Sequence, residues 1–182
     1  MSHHYLFDVG RFLVTPEAIP EFSPELEGIP LTENILIGAD TVNRPGEQAH
    51  YGKAPSDYTL PRMMDSGLQV EKKVIIPRYR DPMPISRIHG EVRIGEHGAF
   101  YEHRSNSAGI ILYLNGNVYG YANTLGTEMD LNWEGSYKEE HPLERYLLLG
   151  SFEMIPLQLV PGDMGYYIKI TESLPIEGVT GG

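Results

Sequence analysis

Along most of the chain apolar residues come in short runs. Some alternate with polar residues and some are continuous, and the runs end at Gly, Pro or Asn. Alternation has the two-residue period of a strand buried on one face, while short continuous runs suit strands buried on both. The clearest case is Ile110-Ile-Leu-Tyr-Leu-Asn-Gly-Asn-Val-Tyr-Gly-Tyr121. Asn115-Gly116 supplies the two positive-φ residues of a type I′ turn, so a hairpin is predicted. Pairing Leu114 with Asn117 puts Tyr113 opposite Val118, Leu112 opposite Tyr119 and Ile110 opposite Tyr121. Ile110, Leu112, Leu114, Tyr119 and Tyr121 then share one face, and Ile111, Tyr113 and Val118 the other. Both faces are apolar, so the hairpin should be covered on both sides, by its own domain or by a partner.

The same pattern predicts strands over 68–76 (stopped by Pro77), 85–94, 99–104, 145–149, 152–160 and 164–171, with turns at 95–98 and 161–163. Residues 123–142 are polar and acidic around Trp133 and read as a long loop of the kind that serves binding. Strands at this spacing predict an all-β fold: an antiparallel β-sandwich, jelly-roll or Greek-key-like, over residues 61–174 with a tail at 175–182. Residues 1–60 hold six prolines, at 16, 20, 24, 30, 45 and 55. That density opposes long helices and central strands, leaving brief strands at 5–7, 11–14 and 35–37. The segment is predicted to be an irregular Pro-rich arm or cover. Tyr5, Phe7, Phe12, Leu13 and Phe22 would anchor it on a neighbouring chain.

Composition narrows the function. Twenty Gly, fourteen Pro and twelve Tyr against one Trp agree with many strands and turns. A net charge of −11 argues against a general nucleic-acid binder. With no Cys, the chain has no disulfide, cysteine nucleophile or thiolate metal site. Neither a secretion signal nor an apolar run long enough to span a membrane is read, so the expected location is a virion, or else the cytoplasm.

His89, Glu91, Glu96, His97, Glu102 and His103 invite a cupin-type metal enzyme. His97 and His103, however, lie six residues and about 20 Å apart on a strand. Glu91 should face Glu102 across the hairpin, with Arg93 and Arg104 as diagonal neighbours, which makes a solvated charge ladder the expectation and neither metal nor cofactor. Lys72, Lys73, Arg78, Arg80, Arg87 and Arg93 form the one basic concentration, suited to docking on acidic surfaces. Within it, Ile85-Ser-Arg-Ile-His-Gly-Glu-Val92 resembles the Ser-Arg-x-His strand of forkhead-associated, phosphothreonine-binding domains, and Asn106 and Asn115-Gly116 follow at similar spacing. The resemblance implies a phosphopeptide held by Arg78, Ser86, Arg87 and an Asn beyond the next strand. Two features differ: Arg78 lies only eight residues before Ser86, too close for the family's intervening strand, and follows Pro77 where that family has Gly, and the family's Thr-Asn-Gly turn stands here as Ser107-Ala108-Gly109. No Gly-x-Ser-x-Gly elbow, phosphate-cradling loop or His-Glu-x-x-His helix is present, and no catalytic residue is nominated. The leading expectation is a non-catalytic structural protein, such as a capsid-decorating or tail/baseplate protein of a bacteriophage, acting as a homo-oligomer or in a capsid or tail lattice. A phosphopeptide-binding module is the alternative.

Overall fold

The computed structural model describes residues 4–43, 49–52, 72–78, 85–86, 88–95, 98–106, 109–114, 116–131, 144–150 and 158–173. Among these no residue is helical, and twelve strands form two six-stranded sheets. They are β1 (His4–Val14), β2 (Pro20–Leu31), β3 (Ile35–Asn43), β4 (His50–Gly52), β5 (Lys72–Arg78), β6 (Gly90–Gly95), β7 (Gly98–His103), β8 (Gly109–Leu114), β9 (Asn117–Ala122), β10 (Glu128–Asp130), β11 (Glu144–Gly150) and β12 (Met164–Ser173). The first sheet runs β2-β1-β12-β11-β8-β9 and is antiparallel throughout. The second runs β10-β7-β6-β3-β5-β4, and its one parallel pair is β3 with β5. A parallel pair needs a long crossover, which the stretch between Asn43 and Lys72 supplies.

The sheets pack face to face as a sandwich. Phe7, Val9, Leu147, Leu149, Ile168 and Ile170 of the first sheet meet Ile35, Ile37, Val92, Ala99 and Tyr101 of the second. Alternation explains the membership, since residues two apart on a strand share a face. The same parity places Glu91, Arg93, Glu102 and Arg104 on the outer face of the second sheet. Glu91 pairs with Glu102 as the spacing predicts, and Arg93 bridges both carboxylates, meeting Glu102 at 2.6 Å, while Arg104 reaches Glu102 at 2.9 Å. The ladder is not solvated as expected, because Glu91 and Glu102 are both buried.

The central hairpin forms in the predicted place, and Gly116 takes φ +83° in its turn. Leu114 pairs with Asn117 and Tyr113 with Val118, but the register then shifts so that Leu112 faces Gly120 and Ile110 faces Ala122. This bulge reverses the faces beyond it. Tyr121 packs beside Ile111, Tyr113 and Val118 on the outer side, instead of sharing the face of Ile110 and Leu112.

The described part of the N-terminal segment, residues 4–43 and 49–52, is not an arm. β1 lies inside the first sheet, between β2 and β12, and β3 lies inside the second. Tyr5 and Phe7 are buried in the central core, so their burial (worth about 1.5–3 kcal/mol for a side chain such as Phe7) stabilises their own domain rather than a contact with a neighbour. Phe12 is buried and Phe22 half-buried in a second cluster on the outer face. Phe22 stacks on Tyr146 at 4.2 Å and lies 6.4 Å from Tyr113 between ring centres. In a flat sheet β2 and β8, four strands apart, would lie about 19 Å from one another. The β1–β2 ribbon therefore coils over the sheet's outer face, with bulges between Phe7 and Gly10 at the bend. The second cover of the hairpin comes from the same chain. Of the five expected anchors only Leu13 stands exposed. The prolines of β2 are accommodated because β2 is an edge strand.

Candidate functional site

One end of the sandwich gathers the sequence-matched Ser86, His89 and Asn106. Ser86 precedes β6 and is tied down from three sides. Its carbonyl accepts from the Ala39 amide of β3 at 3.0 Å, its own amide donates to His89 Nδ1 at 3.2 Å, and its hydroxyl bonds the Ser105 hydroxyl. Because His89 Nδ1 accepts, the ring proton sits on Nε2, which donates to the Gly109 carbonyl at 2.9 Å. The His89 amide donates to Ile37 O at 2.8 Å, and its carbonyl accepts from Arg104 N at 2.9 Å and from the Tyr101 hydroxyl at 3.2 Å. His89 thus joins β3, β7 and β8 at their shared end.

Beneath Ser86 the network is wholly buried. Tyr101 Oη lies 2.8 Å from His103 Nδ1, and the His103 ring meets His89 edge-on at 5.2 Å. Burial, reinforced by the neighbouring His103, pulls the His89 pKa down to about 3, so the ring is neutral near pH 7. Burial also pushes the Tyr101 hydroxyl well above its usual range. Gly90 is required here: a side chain at that position would run into the Tyr101 ring and hydroxyl.

Sequence reasoning found Ser86 but missed Ser105, Tyr101 and His103 as its support. The signal was present in the parity of β7, whose inward positions are Ala99, Tyr101 and His103. Asn106 stands exposed beside the pair of serines, and its Oδ1 accepts from the Leu125 amide at 2.8 Å. Arg104, next to Ser105 in the chain, brings a guanidinium held to Glu102 at 2.9 Å. The cation implied upstream is placed differently. The β3 residue bonded to Ser86 is Ala39, whereas Arg78 pairs with Asn43, four positions further along β3. The Arg78 side chain, Arg87 and Asn115 lie outside the described residues. Among the described residues no three His, Cys, Asp or Glu come together in a way that could hold a metal, and no helix is long and apolar enough to cross a membrane. Set against known proteins, the chain matches no family model, no curated protein and no solved structure.

Proposed function

We propose that the chain is a non-catalytic recognition module that binds a phosphorylated peptide at the Ser86 end of the sandwich. The observation that carries this reading is the three-sided fixing of Ser86. With its backbone held by β3 and His89 and its hydroxyl by Ser105, Ser86 loses little freedom when an oxyanion docks on it. Ser105, the exposed Asn106 amide and the Arg104 guanidinium add donors on the same end, and a phosphate offers strong acceptors to them. Arg78 and Arg87 lie within eight residues of Ser86 in the sequence and locally offset the overall charge of −11.

The test is enrichment from a phosphothreonine peptide library against its unphosphorylated counterpart. Wild-type protein should enrich phosphopeptides, and Ser86→Ala and Arg78→Ala should each lower that affinity at least about tenfold, the scale of one lost charge-assisted hydrogen bond, with the melting midpoint kept. No preference for phosphate in the wild-type protein would end this reading.

A second reading, a structural subunit such as a bacteriophage capsid-decorating or tail protein, is supported by the edge strand β9. Its residues Asn117–Ala122 include no charge and no proline, whereas the edge β2 carries Pro20, Pro24 and Pro30 and the edge β10 is three residues long with Glu128 and Asp130. A strand without charge or proline is suited to pairing with a strand of another subunit. Light scattering that gives the mass of a single chain at all concentrations would count against it.

A further inference from the structure

Three of the large exposed apolar side chains stand together where the tip of the β1–β2 ribbon meets the start of β12: Leu13 is 44% exposed, Ile19 58% and Met164 41%. Register makes them neighbours. Leu13 pairs directly with Met164 on β12 and with Glu21 on β2, and Ile19 lies two residues before Glu21 on the same face, its carbonyl accepting from Thr15 N at 2.9 Å. Single exposed apolar residues are ordinary on a protein surface, but a contiguous group on two interior strands of a sheet is a patch. Its surroundings are acidic. Glu17 and Glu21 are exposed beside it, and Arg11, two positions from Leu13 on the same face, is engaged by Glu25 at 2.8 Å.

We infer that this tip is a docking surface for a protein partner that presents a large apolar residue ringed by Lys or Arg. Apolar contact at the centre supplies affinity, and the charges at the rim select a basic partner and speed encounter. The net charge of −11 acts in the same direction at longer range and opposes a second copy of this chain as the occupant. The surface is independent of the phosphopeptide reading, since neither Ser86 nor the residues that fix it belong to it.

The experiment is panning the intact protein against a displayed library of random peptides about twelve residues long. The expected consensus is Leu, Ile, Met, Phe or Trp flanked by Lys or Arg. Affinity for a synthetic consensus peptide should fall at least about tenfold in the Leu13→Ser/Met164→Ser variant. In Glu21→Lys it should weaken, and the preferred flanks should turn acidic. Ser86→Ala should leave it unchanged. All the substituted apolar side chains are exposed, so the fold is retained, and a melting curve verifies this. The inference is overturned by no consensus, by acidic flanks on peptides selected with wild-type protein, by equal binding to the Leu13→Ser/Met164→Ser variant, or by loss of binding in Ser86→Ala alone.

Discussion

At one end of the sandwich the neutral His89 ring is buried among Tyr101 and His103, and at the other Arg145 and Glu172 are buried as an ion pair. The distance between them is set by β11. Arg145 lies near its start, while Gly150 at its far end pairs with Gly109, the acceptor of His89, about 17 Å away along the strand. At the His89 end each ring has a hydrogen-bond partner within the network. At the Arg145 end the guanidinium is 1% exposed, none of its three nitrogens has a hydrogen-bond acceptor among the described residues, and the carboxylate of Glu172, 4% exposed, comes no closer than 3.9 Å. Burial pulls the Arg145 pKa down, and Glu172 and Tyr5 act against that pull. Beside the pair, burial and the Glu172 carboxylate push the Tyr5 hydroxyl up to about 12. Neutral groups can be satisfied one bond at a time, whereas buried charges depend on each other.

That dependence gives the largest expected effect. Glu172→Ala leaves the Arg145 guanidinium without its nearest counter-charge and should cost about 3–5 kcal/mol of unfolding free energy. Replacing both, as Arg145→Met with Glu172→Leu, removes the desolvation penalty with the pair and should be neutral or stabilising by about 1–4 kcal/mol. Urea unfolding of the three proteins reads this directly. A double variant as unstable as the single one would mean that the pair is held by more than mutual charge, and the contrast between the two ends would fail.

The neutral end should reveal itself through pH. The folded pKa of His89, about 3, lies below the value near 6.5 expected of an unfolded His. Below pH 6.5 the unfolded chain therefore binds a proton that the folded chain refuses. Stability is full above pH 6.5 and falls by about 1.4 kcal/mol per unit as pH drops toward 3, roughly 2 kcal/mol between pH 7 and pH 5. The measurement is the difference in slope between wild-type protein and His89→Gln over that range. Equal slopes would mean that the folded protein protonates His89 readily, so that the ring is reached by water.

How much of this could be read from the chain depends on the range of the interaction. The sandwich, the hairpin turn and the Glu91–Glu102 pairing follow from alternation and turn chemistry, which act within a few residues. The inward parity of Tyr101 and His103 was equally local. Three things were not legible. β2 carries Pro20, Pro24 and Pro30, which local rules count against a strand; only its edge position, a property of the whole sheet, permits them. The bulge in β9 has no residue signature beyond Gly120, yet it moves Tyr121 to the other face. The meeting of Ser86 with Ser105, nineteen residues apart, and of Phe22 with Tyr146 depends on how loops close and how the sheet coils. Phe12 and Phe22 are expected to anchor on a neighbouring chain, and both pack within their own. Nothing in a sequence distinguishes a ribbon that folds back from one that reaches out.

The smallest effect concerns a single oxygen in the neutral network and separates its geometry from its energetics. The Tyr101 hydroxyl has one proton and two neighbours, the His89 carbonyl at 3.2 Å and His103 Nδ1 at 2.8 Å. Tyr101→Phe keeps the ring in the core and removes only that oxygen. The His89 carbonyl retains the Arg104 amide at 2.9 Å, so it remains hydrogen-bonded, and the loss falls mainly on the contact with His103. One neutral buried hydrogen bond contributes about 1 kcal/mol net, and urea unfolding should show a loss of that size. The His89-dependent pH slope should persist, because the ring stays buried against Gly109. A loss above about 3 kcal/mol would show the network to be as interdependent as the Arg145–Glu172 pair. No loss at all would mean that water replaces the hydroxyl at no cost, and the Ser86 end would then be less closed than its packing indicates.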